Sequence, residues 1–146
     1  MRGLWDRIEA LGVPSLGSHT HERHVPHVSY TVLRTWDLAA VSDAVDEPVE
    51  LRFDAVGLLR RGRVWLLAGV AADVAARQEP VVNAVTATGA ELHHHYLPGR
   101  WLPHCSVAPR ASLASLPVVA AAIYDVLPVQ ARLDSAALVN SATGEL

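Results

Sequence analysis

The spacing of apolar residues along the chain predicts four helices. The first is indicated by one apolar face near the N-terminus and ends at Gly12. The residues of this face are Leu4, Trp5, Ile8 and Leu11. Three further stretches have helical spacing or helix-start signals, with Pro80 as a candidate break in the second: Thr35–Val45, Asp73–Thr88 and Pro117–Val126.

Short apolar or alternating runs between turn residues predict five strands. They are His27–Leu33, Val49–Leu59, Val64–Val70, His104–Ala108 and Val129–Val139. The second and third strands are joined by an arginine-rich hairpin turn, Arg60–Arg63. Helices and strands occur in both halves of the chain. The predicted fold class is therefore α+β, with two antiparallel sheets and flanking helices around a central cleft.

Two sequence blocks recur in the same order in the second half of the chain. Arg23–Tyr30 matches Arg100–Val107 at an offset of 77 residues (100 − 23), and Pro48–Asp54 matches Pro128–Asp134 at an offset of 80 (128 − 48). Such internal similarity indicates duplicated structural units. A chain of 146 residues is long enough for one domain with its own core. We expect a single domain over residues 1–146, whose two pseudo-twofold lobes correspond roughly to sequence halves 1–62 and 63–146.

Each copy of the first block contains the motif Pro-His-x-Ser. Alternation along a strand places His27 and Ser29 on one face and the residues next to them on the other. The same pattern holds for His104 and Ser106. A pseudo-twofold that brings the two strands together would therefore direct two imidazoles and two hydroxyls into one cleft.

These four groups suit the hydrolysis of a phosphodiester. His27 and His104 are the candidate catalytic pair, because one imidazole can take a proton from the attacking water while the other gives a proton to the leaving oxygen. Ser29 and Ser106 are candidate donors to the non-bridging phosphate oxygens. A single histidine and serine on a strand usually make ordinary hydrogen bonds in a half-buried sheet. The repetition of the same polar pair favours the catalytic interpretation.

Arg23 and Arg100 occupy equivalent positions, four residues before each histidine. We predict that both bind substrate phosphate, although a solvated arginine before a strand is an equally good interpretation. Strand alternation places Tyr30, Trp101 and Cys105 on the side away from the polar pair, where they are expected to pack in the core.

The composition excludes several other mechanisms. The chain has no lysine and a single cysteine, which excludes a Walker phosphate loop, a Schiff base, an intramolecular disulfide and a multi-cysteine zinc site. A net charge of −3 does not favour a long nucleic acid bound along its backbone. The arginines of the hairpin turn are interpreted as surface charges. The longest apolar run, Val64–Ala72, is too short to cross a bilayer, and we expect a cytoplasmic protein without membrane contact.

Two histidine clusters offer an alternative chemistry that depends on a metal. His19, His21 and His24 lie close together in the sequence, and His93–His95 is a run of three. No acidic ligand is obviously paired with either cluster. Histidine-rich surface loops are the favoured interpretation, and neither a metal nor a cofactor is expected to take part in the reaction.

The motifs His27–Ser29 and His104–Ser106, their separation and the order of the lobes resemble the 2H phosphoesterase superfamily, also known as 2′-5′ RNA ligase-like proteins. The resemblance covers nearly the whole chain from Trp5 onward. It implies a bilobal fold with both histidines in a central cleft and no metal. It also implies action on 2′,3′-cyclic phosphates, 2′-5′ phosphodiester linkages or related nucleotide esters. Many members have threonine where this chain has serine, and both residues supply the hydroxyl.

The resulting hypothesis is a cyclic phosphodiesterase whose partner is a nucleotide or a short RNA. The alternative is a binding module that keeps the cleft and recognises a nucleotide or an RNA end without turnover. In the first half of the chain no strand equivalent to Val64–Val70 precedes the helix. The sheet edge left open is expected to be covered by the N-terminal residues, by Val13–His24, or by a second copy of the chain in a homodimer.

Overall fold

Three helices and six strands make up the part of the chain that the structure describes. The structure, a computed structural model, describes residues 1–35, 48–69 and 72–145. The helices are α1 (Arg2–Ala10), α2 (Ala72–Ala87) and α3 (Leu116–Tyr124). The strands are β1 (Leu33–Thr35), β2 (Val49–Leu59), β3 (Arg63–Ala68), β4 (Glu91–Leu92), β5 (His104–Ala108) and β6 (Val129–Leu133). Short 3-10 turns occur at Arg60–Gly62 and His94–Tyr96.

The larger sheet contains four antiparallel strands in the order β5-β3-β2-β6, and the smaller one pairs β1 with β4. This architecture confirms the α+β fold with two antiparallel sheets. Apolar residues alternate along β2, so that Val49, Leu51 and Phe53 are buried on one face. The larger sheet combines β2, from before residue 62, with β3, β5 and β6, from after it. The two sequence halves therefore interleave within one sheet.

The strands β2 and β6 pair in a register that preserves the repeat of the sequence. Val49 lies opposite Leu133, and their counterparts in the other copy, Val129 and Phe53, also lie opposite each other. A twofold rotation about the centre of this strand pair therefore exchanges the two copies of the repeated block.

Side-chain contacts follow the same repeat. The Arg52 side chain contacts the carboxylate of Asp54 at 2.9 Å, and the Arg132 side chain contacts that of Asp134 at 2.6 Å. Both pairs are exposed, so each contributes little to stability on its own. Their recurrence at equivalent positions shows that the second sequence block is a structural repeat.

The hydrophobic core lies between the larger sheet and the two helices α1 and α3. The first helix buries Leu4, Trp5 and Ile8, three of the four residues that the apolar spacing placed on its inner face. The third buries Val119, Ala122 and Ile123 at helical spacing. Leu11, the fourth residue of the predicted face, is 48% exposed because the helix ends before it.

The helix α2 contributes Val74 to the buried core and contacts the segments next to the smaller sheet. Its buried residue Gln78 donates hydrogen bonds to the carbonyl oxygens of Tyr30, at 3.2 Å, and Tyr96, at 2.8 Å. The helix continues through Pro80, so the break considered at this residue does not occur. The proline ring is exposed, and the helix gives up one backbone hydrogen bond at this position.

The prediction of a strand over His27–Leu33 is wrong for residues 27–32, since the ladder includes only Leu33–Thr35. The backbone carbonyls of this extended segment have partners from outside any neighbouring strand. Ser29 O accepts from the Trp101 side chain, Tyr30 O from the Gln78 side chain, and Val32 O from a backbone N–H. These hydrogen bonds take the place of strand pairing for the three carbonyl groups.

The hairpin turn between β2 and β3 depends on a glycine. Gly62 has a φ of +69°, and a Cβ at this position would lie 1.9 Å from the carbonyl oxygen of Ala111. Its own carbonyl accepts a hydrogen bond of 2.7 Å from the Ala111 N–H. Only glycine fits both the positive φ and the close approach of the two backbones.

The remaining expectations have mixed outcomes. The last strand ends at Leu133, six residues before the predicted end at Val139. The helix predicted at Thr35–Val45 falls, beyond Thr35, on residues 36–47, outside the described residues. None of the helices in the described ranges combines the length and the apolar character that crossing a bilayer requires.

Candidate active site

His104 is the first residue of β5, and alternation along this strand sets the direction of its side chain. Cys105 and Val107 are buried in the core, whereas His104 and Ser106 are half-buried on the opposite face. The alternation predicted for this motif, including the core position of Cys105, is confirmed. The imidazole therefore faces away from α1 and α3, on the open side of the sheet.

His27 has the same local geometry as His104, although it lies outside a strand. In both cases the ring Nδ1 lies 2.7 Å from the carbonyl oxygen two residues earlier, that of Val25 for His27 and that of Leu102 for His104. A carbonyl oxygen can only accept, so Nδ1 carries the proton and Nε2 is left for a substrate. The repeat therefore selects the same tautomer twice.

The two histidine segments are in direct contact. Trp101 Nε1 donates a hydrogen bond of 2.9 Å to Ser29 O, and the Tyr30 and Trp101 rings stack with their centroids 5.8 Å apart. The backbone of His27 lies beside the thiol of Cys105. Tyr30 and Trp101 both pack against the hydrophobic core, as strand alternation predicts.

The imidazole of His104 lies flat on an aromatic ring. Its centroid is 3.6 Å from that of Trp65, with the planes 16° apart. Burial lowers the pKa of His104 below its ordinary value, and the nearby charge of His27 lowers it further, against the raising effect of the hydrogen bond to Leu102. His104 is therefore held in the neutral form at neutral pH, with Nε2 as a proton acceptor.

The two serine hydroxyls have different surroundings. The Ser29 hydroxyl lies beside the phenol of Tyr96, whose pKa is raised by burial. Ser106 lies opposite Trp65 in the β5–β3 ladder, and within the described ranges its hydroxyl has no hydrogen-bond partner. Both serines are half-buried, and the Ser106 hydroxyl is available to a bound anion.

The two arginines at equivalent sequence positions lie in different surroundings. Arg100 lines the cleft beside His104. Arg23 is exposed and is not among the cleft residues; its Cβ lies close to Gly144, near the C-terminus. The structure thus brings Arg100, but not Arg23, to the cleft.

The cleft has a volume of about 290 Å³ and opens beside His104. His27 does not contribute to its wall. Arg100, Trp101 and His104 line the cleft, together with His93 and His95 of the histidine run and Arg63 of the hairpin turn. The sequence did not single out the other lining residues: Val32, Leu59, Trp65, Tyr96 and Leu102. Strand alternation gives a signal for Trp65. This residue lies on the same half-buried face of β3 as Leu67, and Leu67 is paired with His104 on β5.

A protein-family model described as the 2′-5′ RNA ligase superfamily matches residues 2–145. The chain belongs to the 2′-5′ RNA ligase superfamily. No curated protein and no solved structure matches it significantly. The match covers both Pro-His-x-Ser segments and the repeated blocks around them, so the whole described fold is that of a 2H phosphoesterase domain.

This 2′-5′ RNA ligase superfamily protein also has a histidine run next to its cleft. Ligand atoms of His93, His94 and His95 all lie within 4.8 Å of one another, a spacing from which a metal ion could be held after small side-chain rotations. His93 Nδ1 already accepts a hydrogen bond of 3.4 Å from the His95 N–H, which leaves Nε2 as its ligand atom. Two of these histidines, His93 and His95, line the cleft.

Proposed function

We propose that this protein is a metal-independent phosphoesterase that hydrolyses 2′,3′-cyclic phosphate or 2′-5′ phosphodiester nucleotides by acid–base catalysis with His27 and His104. The observation that carries the proposal is the matched pair of Nδ1 hydrogen bonds at 2.7 Å. These hydrogen bonds leave Nε2 of each ring free. An acid–base pair requires this, because each Nε2 must be directed to the reacting phosphate.

The electrostatics favour one histidine as the general base and the other as the general acid. The lowered pKa of His104, caused first by burial and then by the charge of His27, favours this residue as the general base that takes a proton from water. His27 is exposed and then supplies the proton to the leaving oxygen. The hydroxyls of Ser29 and Ser106 would donate to the non-bridging oxygens of the reacting phosphate.

The alternative function is a binding module that recognises a nucleotide or an RNA end without cleaving it. The cleft of about 290 Å³ beside His104 would serve such a module equally well. The matched tautomers of the two histidines favour the enzyme, since binding alone requires no second proton-transfer group.

The deciding experiment uses a panel of 2′,3′-cyclic nucleotides and 2′-5′ dinucleotides in the presence of EDTA, with the phosphate position of each product determined. We expect turnover of at least one class, with products of a single regiochemistry, because one fixed pair of nitrogens carries both proton transfers. Binding without turnover across the panel would support the alternative. Turnover that EDTA abolishes and zinc restores would contradict metal independence.

A further inference from the structure

Five of the cleft residues are cations or can become cations, namely Arg63, Arg100, His93, His95 and His104. Arg63 begins β3, His93 precedes the 3-10 turn His94–Tyr96, and His95 lies within that turn. No aspartate or glutamate is among the residues that line the cleft in the described part of the chain. The cleft is therefore positively charged, in a chain whose net charge is −3.

Among the described residues, the two cleft arginines, Arg63 and Arg100, have no carboxylate partner. Four arginines elsewhere in the described ranges do contact carboxylates: Arg7, Arg34, Arg52 and Arg132. Two unneutralised guanidinium groups in one cavity are the usual environment for a bound phosphate, which guanidinium can hold by paired hydrogen bonds.

Only one of the two candidate catalytic histidines belongs to the cavity wall. His104, Arg63 and Arg100 line it, whereas His27 does not. A phosphate held between the two Nε2 atoms would therefore lie at the His104 side of the cavity, which leaves the two arginines for a second anionic group. The apolar parts of the wall, including Leu59 and Leu102, suit the nucleoside.

We propose that Arg63 and Arg100 form a second phosphate subsite, so that the preferred substrate is a nucleotide with one phosphate at the reacting 2′ or 3′ position and another at its 5′ position. This inference rests on the proposed function. It selects a phosphate-flanked end, such as the terminal nucleotide of an RNA or a 5′-phosphorylated nucleotide, over a simple 2′,3′-cyclic nucleoside phosphate. The volume of about 290 Å³ admits one such nucleotide and not several.

The test compares two product mimics, adenosine 2′-monophosphate and adenosine 2′,5′-bisphosphate, by isothermal titration calorimetry on the full chain. We expect the bisphosphate to bind at least ~10-fold more tightly, with the ratio falling as salt concentration rises. Arg63→Gln and Arg100→Gln should each bring the ratio to below ~3-fold.

Matched controls are available on the same hairpin turn. Arg60 and Arg61 are exposed and do not line the cleft, so Arg60→Gln and Arg61→Gln should leave the ratio unchanged. Circular dichroism of each variant checks that the fold is kept. A wild-type ratio within ~2-fold, or a ratio that all four variants lower equally, would overturn the second subsite while leaving the proposed function in place. Failure of both nucleotides to bind at millimolar concentration would overturn the proposed function itself, and the inference with it.

Discussion

At the scale of single residues, the two histidines differ in exposure although their hydrogen bonds match. His27 is exposed, whereas His104 stacks on Trp65 with ring centroids 3.6 Å apart. The repeat of the sequence could predict the pair, and strand alternation could predict the face of the His104 motif, whereas residues 27–32 lie outside a strand. The difference in environment was not predictable, because it depends on which side chain of β3 meets β5 across the ladder.

We expect His27→Ala and His104→Ala each to lower the rate of the chemical step by at least ~100-fold, because each removes one of the two proton-transfer groups. The double variant should lose far less than the product of the two single losses, since the pair acts as a unit. Single-turnover kinetics on the preferred substrate measures the effect. His19→Ala, which changes a histidine outside the cleft, is the control. A single variant with near-normal turnover would exclude this mechanism.

The pH profile of kcat/KM should depend on Trp65. A general base works in its deprotonated form, so a lowered pKa of His104 places the acid limb of the profile below the ordinary histidine value of about 6.5. Trp65→Leu removes the ring that covers the imidazole and should shift this limb to higher pH. Among titratable groups, His27 and Tyr96 lie near His104, and Arg63, Arg100, His93 and His95 line the same cleft. An unchanged acid limb in Trp65→Leu would show that the limb does not report His104.

At the scale of secondary-structure elements, the strands with a regular alternation of buried and exposed residues were the most predictable. Both Val49–Leu59 and His104–Ala108 have the bounds that the pattern predicts, because one face of each is buried in the core. Residues 27–32 do not form the predicted strand, because side chains from distant parts of the chain donate hydrogen bonds to their carbonyl oxygens. Local sequence gives no signal for such long-range partners.

The edge of the larger sheet at β5 is covered by residues from the N-terminal part of the chain. Leu16 N donates a hydrogen bond of 2.9 Å to Val107 O, and Trp5 Nε1 donates one of 3.3 Å to Ser106 O. The strand that carries His104 is therefore protected from pairing with another chain along this stretch.

Gly62 should be far less tolerant of substitution than Gly89. Both have positive φ, but a Cβ at Gly62 would meet Ala111 O at 1.9 Å, whereas a Cβ at Gly89 would meet nothing within 4 Å. We expect Gly89→Ala to cost about 1 kcal/mol for the backbone conformation alone, and Gly62→Ala to cost more than about 3 kcal/mol because the hairpin must also move. Urea denaturation gives both free energies of unfolding. Equal losses of unfolding free energy in the two variants would show that the hairpin turn can change conformation at little cost.

At the scale of the whole molecule, the duplicated blocks carried the most information in the sequence, since they predicted a structural repeat and named the candidate histidines. The strand register between β2 and β6 and the repeated arginine–aspartate pairs follow the same duplication. The cleft was not predictable to the same degree. Its walls come from β3, the histidine run and the segment before β5, which meet only in the folded chain.

Trp101 joins the two histidine segments, so Trp101→Phe should affect both stability and catalysis. The variant leaves Ser29 O without its donor and should lower the free energy of unfolding by about 1–3 kcal/mol. A displaced His27 should also lower kcat by ~10-fold or more. Trp5→Phe removes an indole hydrogen bond of the core in the same way and serves as the comparison. If both variants reduced kcat equally at similar stability loss, Trp101 would have no special role in positioning His27.

The buried position of Cys105 allows its thiol to report the transient opening of the strand that carries His104. Cys105 is the single thiol of the protein, it is 3% exposed, and burial raises its pKa to about 11. Only a thiolate reacts with a disulfide reagent such as Ellman's reagent, so labelling requires β5 to open first. The labelling rate therefore measures the opening of the strand that carries His104, with no engineered probe. Nucleotides that bind beside His104 should slow this rate in proportion to their occupancy, which offers a ligand screen that needs no turnover.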